Sequence, residues 1–541
     1  MLKHKLTLLI FFILIIPELL KSQAPSWQWA AGGSGSSSEN VNSITSDATG
    51  NVYATGFFYS TTIVFGTYTL TNSGNYDFFI VKYNSAGNVV WAKSGGGIYD
   101  DAGSSIALDG AGNVYVTGYF YSPMISIGTL SLTNVGVGDA FVLKFDASGN
   151  EIWMTGIGDV NDENGNGISA DNAGNIYVTG FFQSPSLSVG STTLSNAGNT
   201  DIFLIRLDNN GNPVWAKSAQ GSAADAGKSV TVDATGNIYV CGYYSANAAF
   251  DSYSLTSTGS TDAFVAKYDG SGNAIWVRSC GGSLNDASYA VAIDGTGNVY
   301  TTGTFLSGTL TVGSNTISNA GNNDLFIVKY NSSGILSWAK SAGGIQDDTG
   351  YGITADNIGN VYITGHFHSP SISFGSYTLT NNGIGDSYVA QYDGSGNVLW
   401  AEGIGGTADD GGSCITANSS NVFCGGFFFS PVLMVGPYTL TNGGSDDIYI
   451  LKLGNLLTGI ESKDWSGQAV VYPNPSSGIF NLLIEENADI EIYSMEGIKM
   501  YYTENREFKH RSICLNGAAT GVYLLKIYTA SSNYCQKILV H

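Results

Sequence analysis

Apolar and polar residues alternate along most of the chain in short runs. Val114 and Val116 point one way while Tyr115 and Thr117 point the other, which is the period of a half-buried strand. The runs come in pairs around one turn, Asp-x-x-Gly-Asn. One pair is Ser104–Leu108 and Asn113–Phe120 around Asp109-Gly-Ala-Gly112; the next is Asp139–Phe145 and Asn150–Gly156 around Asp146-Ala-Ser-Gly149. The aspartate can accept hydrogen bonds from its own turn, and the glycine supplies the left-handed residue that lets the strands leave in register. The pattern predicts two antiparallel hairpins per repeat, hence four strands. Copies of Asp109–Gly118 start at Asp47, Asp171, Asp233, Asp294 and Asp356, and a worn copy starts at Asn418, at steps of 62, 62, 62, 61, 62 and 62 residues. Between the second and third strands, segments such as Ile125–Asn134 predict a small additional hairpin. It explains a period above the roughly 40–50 residues of an ordinary propeller blade.

The strand count does not close within the repeats. Third strands begin at Asp77, Asp139, Asp201, Asp262, Asp324, Asp386 and Asp447, but fourth strands follow only six of them, through Trp91, Trp153, Trp215, Trp276, Trp338 and Trp400. The missing fourth strand lies at the other end, where Trp29 stands 62 residues before Trp91 with no first three strands ahead of it. A ring needs such a seam, and overlapping ends remove exposed sheet edges. The expected fold is all-β: a seven-bladed β-propeller over residues 25–453, closed by the N-terminal strand. A polar linker over 454–469 and a small C-terminal β-sandwich over 470–541 follow. Residues 1–24 read as a signal peptide, with Lys3 and Lys5 ahead of the apolar run Leu6–Leu20. The mature chain is expected to have no transmembrane span.

Composition narrows the partners. The formal charge is −22 with only 12% charged residues, which disfavours nucleic acid and anionic lipid and leaves calcium and neutral sugars compatible. The six cysteines do not recur with the repeat; Cys414 and Cys424 flank one turn and are a candidate pair, although a two-residue turn would put them on opposite faces. An acid stands eight residues before each turn residue: Glu39, Asp101, Glu163, Asp225, Asp286, Asp348 and Asp410. This set is read either as caps of their own loops or as a cation-binding ring near the axial mouth, with calcium the hard-ligand candidate. Third-strand cations such as Lys82, Lys144, Arg206, Lys267 and Lys329 are expected to answer some of that charge. The ends of the second strands carry Tyr59, Tyr119, Tyr121, Tyr243, His366, His368 and Phe429, which either pack between blades or present aromatic faces to a sugar. His366 and His368 share one strand face, and either replace aromatics or hold a transition metal. No Ser/His/Asp set in recognisable context and no phosphate loop occurs, and equal repeats leave no room for a specialised catalytic loop, so no catalytic residue and no enzyme is expected.

Two resemblances follow from these motifs. Asp109-Gly-Ala-Gly-Asn-Val-Tyr-Val-Thr-Gly118 and Tyr268-Asp-Gly-Ser-Gly-Asn-Ala-Ile-Trp276 resemble the SBBP family of β-propeller repeats, over roughly residues 27–453; that family implies a fold and no common activity. The tail, with Tyr472, Pro473, Asn474, Pro475, Gly478, Gly497, Gly521 and Tyr523 in order, is similar to the type A C-terminal sorting domain of the type IX (Por) secretion system. This second resemblance implies the secretion machinery as a partner, passage through the periplasm and across an outer membrane, and a secreted or surface location. The expected function is a binding scaffold engaging glycan or protein through one face of the disk. The alternatives are a purely structural surface or adhesion protein and, more remotely, a polysaccharide-active hydrolase.

Overall fold

The computed structural model describes residues 24–418, 421–454, 470–472, 479–483, 488–494, 499–506, 511–515, 521–529 and 533–540. The signal-peptide and linker readings, and Pro473, Asn474, Pro475, Gly478 and Gly497, lie outside the described residues. The chain divides into two units, 1–456 and 457–541.

The first unit is built of repeated four-stranded antiparallel sheets, as the alternation predicts. The second repeat is representative, with strands Asp101–Leu108, Val114–Phe120, Asp139–Phe145 and Glu151–Ile157 lying side by side in that order. Its first turn is held by Asp109. Oδ1 accepts from the backbone N–H of Ala111 and Asn113, both at 2.9 Å, and Oδ2 accepts from Asn113 Nδ2 at 2.7 Å and the Tyr115 hydroxyl at 2.9 Å. Gly112 takes φ +80°, the conformation that the turn requires and that glycine adopts without strain. The first strand of each sheet carries a β-bulge at one place, between Val41 and Ser43 in the first sheet and between Gly103 and Ser105 in the second. The expected extra hairpin is present: Met124–Ile127 pairs with Leu130–Thr133, and the same unit recurs in every repeat. Two of these hairpins, Asn247–Phe250 and Thr309–Val312, also pair with the outer strand of the preceding sheet.

Apolar cores lie between adjacent sheets, and tryptophans lock one sheet to the next. Trp276 packs its ring 6.1 Å from Tyr330, the planes tilted by 44°, and donates Nε1–H to the Ser332 carbonyl in the following repeat at 3.3 Å. The seventh sheet takes its outer strand from the N-terminal segment. Trp27–Gly33 pairs antiparallel with Asp447–Gly454, with Trp29 opposite Lys452. Trp29 in turn stacks 6.2 Å from Tyr83 and donates to Ser85 of the first repeat at 3.1 Å. Val41 and Ile44 of the first sheet share a core with Cys414, Phe423, Ile448 and Ile450 of the seventh.

Cys414 and Cys424 are buried free thiols, as are Cys241 and Cys280. Cys414 sits opposite Gly425 and Cys424 opposite Ile415, so the candidate disulfide does not form. The third-strand cations also depart from expectation. Lys144 Nζ reaches the Asn209 carbonyl at 3.1 Å, Lys329 the Gly394 carbonyl at 2.7 Å, and Arg206 Nη1 the Gly270 carbonyl at 3.1 Å. These are turns of the next repeat. The cations stand at the turn end of their strand, whereas the acids stand at the other end, so the two sets do not meet.

In the second unit, Val470–Tyr472, Ile479–Leu483 and Arg511–Cys514 form one sheet, and Lys499–Arg506, Ala488–Ser494, Gly521–Thr529 and Asn533–Val540 form another. Phe480, Leu482 and Ile513 of the first join Ile490, Leu525, Ile527 and Ile538 of the second in one core, with Tyr523 buried at its margin.

Candidate functional site

The end of each sheet opposite the Asp-x-x-Gly turns carries the recurring acids. All seven are fully buried. Asp101 Oδ2 accepts from the backbone N–H of Gly97 at 2.6 Å and from the Ser122 hydroxyl at 2.7 Å, and Oδ1 accepts from the Ser122 N–H at 3.2 Å. Asp286, Asp348 and Asp410 repeat the arrangement with Ser307, Ser369 and Ser430. Glu39 holds Ser60, Glu163 accepts from the Ser184 N–H, and Asp225 from the Ser245 N–H. Asp101, Glu163, Asp286, Asp348 and Asp410 staple the loop that enters their sheet to the loop that leaves the second strand, whereas Glu39 and Asp225 bond only the latter loop and each keeps one buried oxygen without a hydrogen bond. Among the described residues, the acids form no group of three ligand atoms close enough to share an ion. The serines recur with the repeat and were visible in the sequence 20 or 21 residues after each acid, but without the fold they have no evident partner. Burial pushes Glu39 and Asp225 up to about 7 and Asp77, Asp139, Asp324 and Asp386 up to about 6.

The second-strand aromatics stand at the same end and fall into separate groups. Tyr59 packs 5.1 Å from Tyr76, whose hydroxyl is 2.9 Å from that of Tyr119. Tyr119 and Tyr121 meet edge to face at 5.6 Å, and the Tyr121 hydroxyl donates to Asp162 at 3.2 Å. Phe429 packs on Phe427 at 5.8 Å. These four candidates lie outside the cavity of the fourth to sixth sheets.

Tyr243, His366 and His368 do line that cavity. It has a volume of about 610 Å³ and is shared by the fourth, fifth and sixth sheets. Its remaining aromatic walls are Tyr289 and Tyr351, whose rings stack at 5.5 Å with 30° between their planes. Asn285, Asn323, Thr261, Thr304 and Thr349 also line it and supply amides and hydroxyls, with the Asp347 carboxylate beside them. Sequence reading missed Tyr289 and Tyr351. Both are the extra residue of their first-strand bulge, which is why they leave the sheet plane and face the opening. The equivalent positions are Asn42, Ser104, Asn166, Lys228 and Ser413, so this place varies between repeats while its neighbours stay alike, and that variation was the available signal.

At the edge of the cavity His366, His368 and Asp409 converge. His366 Nε2 is 2.9 Å and His368 Nε2 3.5 Å from Asp409 Oδ1, and the imidazole rings lie 4.2 Å apart. The His366 imidazole beside Asp409 holds that carboxyl below its ordinary range. Asp409 also escaped sequence reading, because it immediately precedes Asp410 and only one acid of that doublet belongs to the recurring set.

Residues 470–541 match the family model described as the secretion system C-terminal sorting domain. The chain is 24% identical over 476 residues to the WD repeat-containing protein L264 of Acanthamoeba polyphaga mimivirus, covering 70% of this chain and 34% of the relative. It is 27% identical over 224 residues to the regulatory protein FlaEY of Caulobacter vibrioides, covering 40% of this chain and 23% of the relative. The chain thus spans about a third or less of the length of these curated relatives. The extracellular domain of BT3049 from B. thetaiotaomicron aligns over 92% of this chain and 72% of its own, at 10% identity and a TM-score of 0.15, a level from which no correspondence of fold follows. No helix among the described residues is long and apolar enough to cross a membrane. The sorting domain over residues 470–541 marks the chain for type IX export across an outer membrane, to the cell surface or the surroundings.

Proposed function

We propose that the repeats close into a seven-bladed propeller of the SBBP type, and that this exported disk binds a neutral glycan in the cavity of its fourth to sixth sheets without turning it over. One observation carries the reading: three tyrosine rings from three sheets surround an opening whose polar groups are mainly amides and hydroxyls. Tyrosine faces take the apolar faces of sugar rings, and fixed amide and hydroxyl groups between them read the ring hydroxyls. The buried, hydrogen-bonded acids support the loop-capping reading of their role, so binding is expected to be independent of calcium.

The test is a glycan array probed with the full chain in calcium and in EDTA, alongside Tyr289→Ala and Tyr351→Ala. Selective binding in both buffers is expected, weakened about tenfold by either substitution, which is ~1.4 kcal/mol. A blank array would move the role to a protein partner or to surface structure. Binding indifferent to both tyrosines would remove the cavity from the account.

A further inference from the structure

We propose that His366, His368 and Asp409 form a binding site for one divalent transition metal of the zinc type, at the edge of the cavity. The proposal does not rest on the glycan reading.

The residues come from two sheets and are independently fixed. His366 ends the strand Val361–Phe367 of the sixth sheet and His368 follows two residues on. Asp409 precedes the strand Asp410–Ala417 of the seventh and is pinned through its backbone, bridging to Gly385 and accepting from the Phe429 N–H at 3.0 Å. The three ligand atoms lie within 4.8 Å of one another. Zinc binds imidazole nitrogen and carboxylate oxygen at ~2.0–2.2 Å, and ligands subtending 90–110° at such an ion stand ~2.9–3.4 Å apart. The observed separations from Asp409 Oδ1, 2.9 and 3.5 Å, match that spacing.

Two further observations point to a ligand. His368 Nδ1 stands 3.2 Å from the backbone carbonyl of Asp347. That carbonyl can only accept, so it places the proton on Nδ1 and leaves the Nε2 lone pair directed at the site, the orienting contact that metal-bound histidines usually make. His366 Nε2 and Asp409 Oδ1, both shielded from solvent, make no well-formed hydrogen bond; they stand 2.9 Å apart, with His368 Nε2 3.5 Å from the same oxygen. An ion between them satisfies both. Two nitrogens and one carboxylate oxygen suit zinc, cobalt, nickel or copper better than calcium. Because both histidines line the cavity, the coordination positions not filled by protein open into it, as in sites where a metal receives an exogenous ligand.

Among the described residues the site occurs once. The counterparts of the histidine pair are Phe57/Tyr59, Tyr119/Tyr121, Phe181/Gln183, Tyr243/Ser245, Thr304/Leu306 and Phe427/Phe429. Asp100 stands where Asp409 does, one residue before the recurring acid, but has no histidine beside it. Phenylalanine at three counterparts of His366 also means that His366→Phe is compatible with the fold.

The experiment is a titration of the untagged, metal-stripped full chain with Co²⁺, read by ligand-field absorption, with Zn²⁺ displacement followed by calorimetry. One Co²⁺ per chain with the intense bands of low coordination is expected. His366→Phe, His368→Gln and Asp409→Asn should each weaken binding at least tenfold, while Asp100→Asn leaves it unchanged. Zn²⁺ should raise the Tm of the wild type and of Asp100→Asn but not that of His366→Phe, a readout that separates lost binding from lost folding. Absence of the bands in the wild type would overturn the site and leave a plain imidazole–carboxylate cluster. Binding that survives both His366→Phe and Asp409→Asn would assign the metal elsewhere and overturn it equally.

Discussion

Gly118 illustrates how one residue type is forced by the fold. It lies in the second strand opposite the first-strand bulge, where the Ala102 carbonyl turns toward it, and a methyl group there would overlap that oxygen. Gly56, Gly180, Gly242, Gly303, Gly365 and Gly426 meet the same carbonyl in the other six sheets. Gly118→Ala is expected to destabilise the repeats by about 2–3 kcal/mol, the cost of overpacking a site walled by backbone. Gly403→Ala, where nothing lies within 4 Å of the added carbon, should stay within ~0.5 kcal/mol of wild type. Urea unfolding followed by tryptophan fluorescence checks both, since eight of the nine tryptophans precede residue 454. Equal midpoints for the two variants would contradict the close approach. The glycine was visible in the sequence as the end of the Asp109–Gly118 motif, but its reason was not, because the clashing oxygen belongs to a bulge that alternation cannot reveal. For the same cause, the only sequence signal for Tyr289 and Tyr351 was the variation of their position between repeats.

At the scale of the strand and its loops, the carboxylates divide into two classes with opposite pH responses. The turn acids Asp47, Asp146, Asp208, Asp233, Asp269 and Asp294 are held low, as anions. Hydrogen bonds from Asn150 hold Asp146 low, and for Asp47 burial raises the carboxyl but the bonds from Thr49 and Asn51 together outweigh it. Their contribution is present at neutral pH and is lost as pH falls through their depressed folded values. Glu39 and Asp225, raised by burial to about 7, and Asp77, Asp139, Asp324 and Asp386, raised to about 6, behave in reverse. The folded state binds more protons than the unfolded chain, so this contribution is complete below about pH 4 and is lost as pH rises through 6 to 7. The growing net negative charge acts in the same direction. Tm is therefore expected to fall between pH 5 and pH 8, and Asp225→Asn, which cannot ionise, should flatten that limb. A Tm that is level or rises over the interval would contradict the assignment. The sequence showed that these acids recur and at which end of the strands they stand. It could not show that the third-strand lysines and arginine face the next repeat's turns, leaving the acids uncompensated, because strand alternation fixes a side chain's face and not its partner in the next sheet.

For the first unit as a whole, the decisive feature is where Trp29 sits. In an open stack of sheets, a strand at the start of the chain would be an end piece with one neighbour, and its loss would be a local matter. Here Trp27–Gly33 is paired with Asp447–Gly454, and Trp29 makes the contacts to Tyr83 and Ser85 that Trp276 makes to Tyr330 and Ser332 in mid-chain. That placement was the most legible part of the molecule, since seven third strands against six following fourth strands required a donor and the 62-residue step pointed to Trp29. If the seven sheets form a ring, the seam is as necessary as any interior contact. Trp29→Ala should then cost about as much as Trp276→Ala, ~3–5 kcal/mol for a buried indole. Deleting residues 25–36 should leave the edge of Asp447–Gly454 unpaired, lowering Tm by roughly 5 °C or more and moving the chain to larger species on size exclusion, because an open, apolar strand edge recruits another chain. Unchanged melting with monomeric elution after the deletion, or a Trp29→Ala cost well below that of Trp276→Ala, would mean that the sheets stand as an open array and that the first strand is ornament rather than closure.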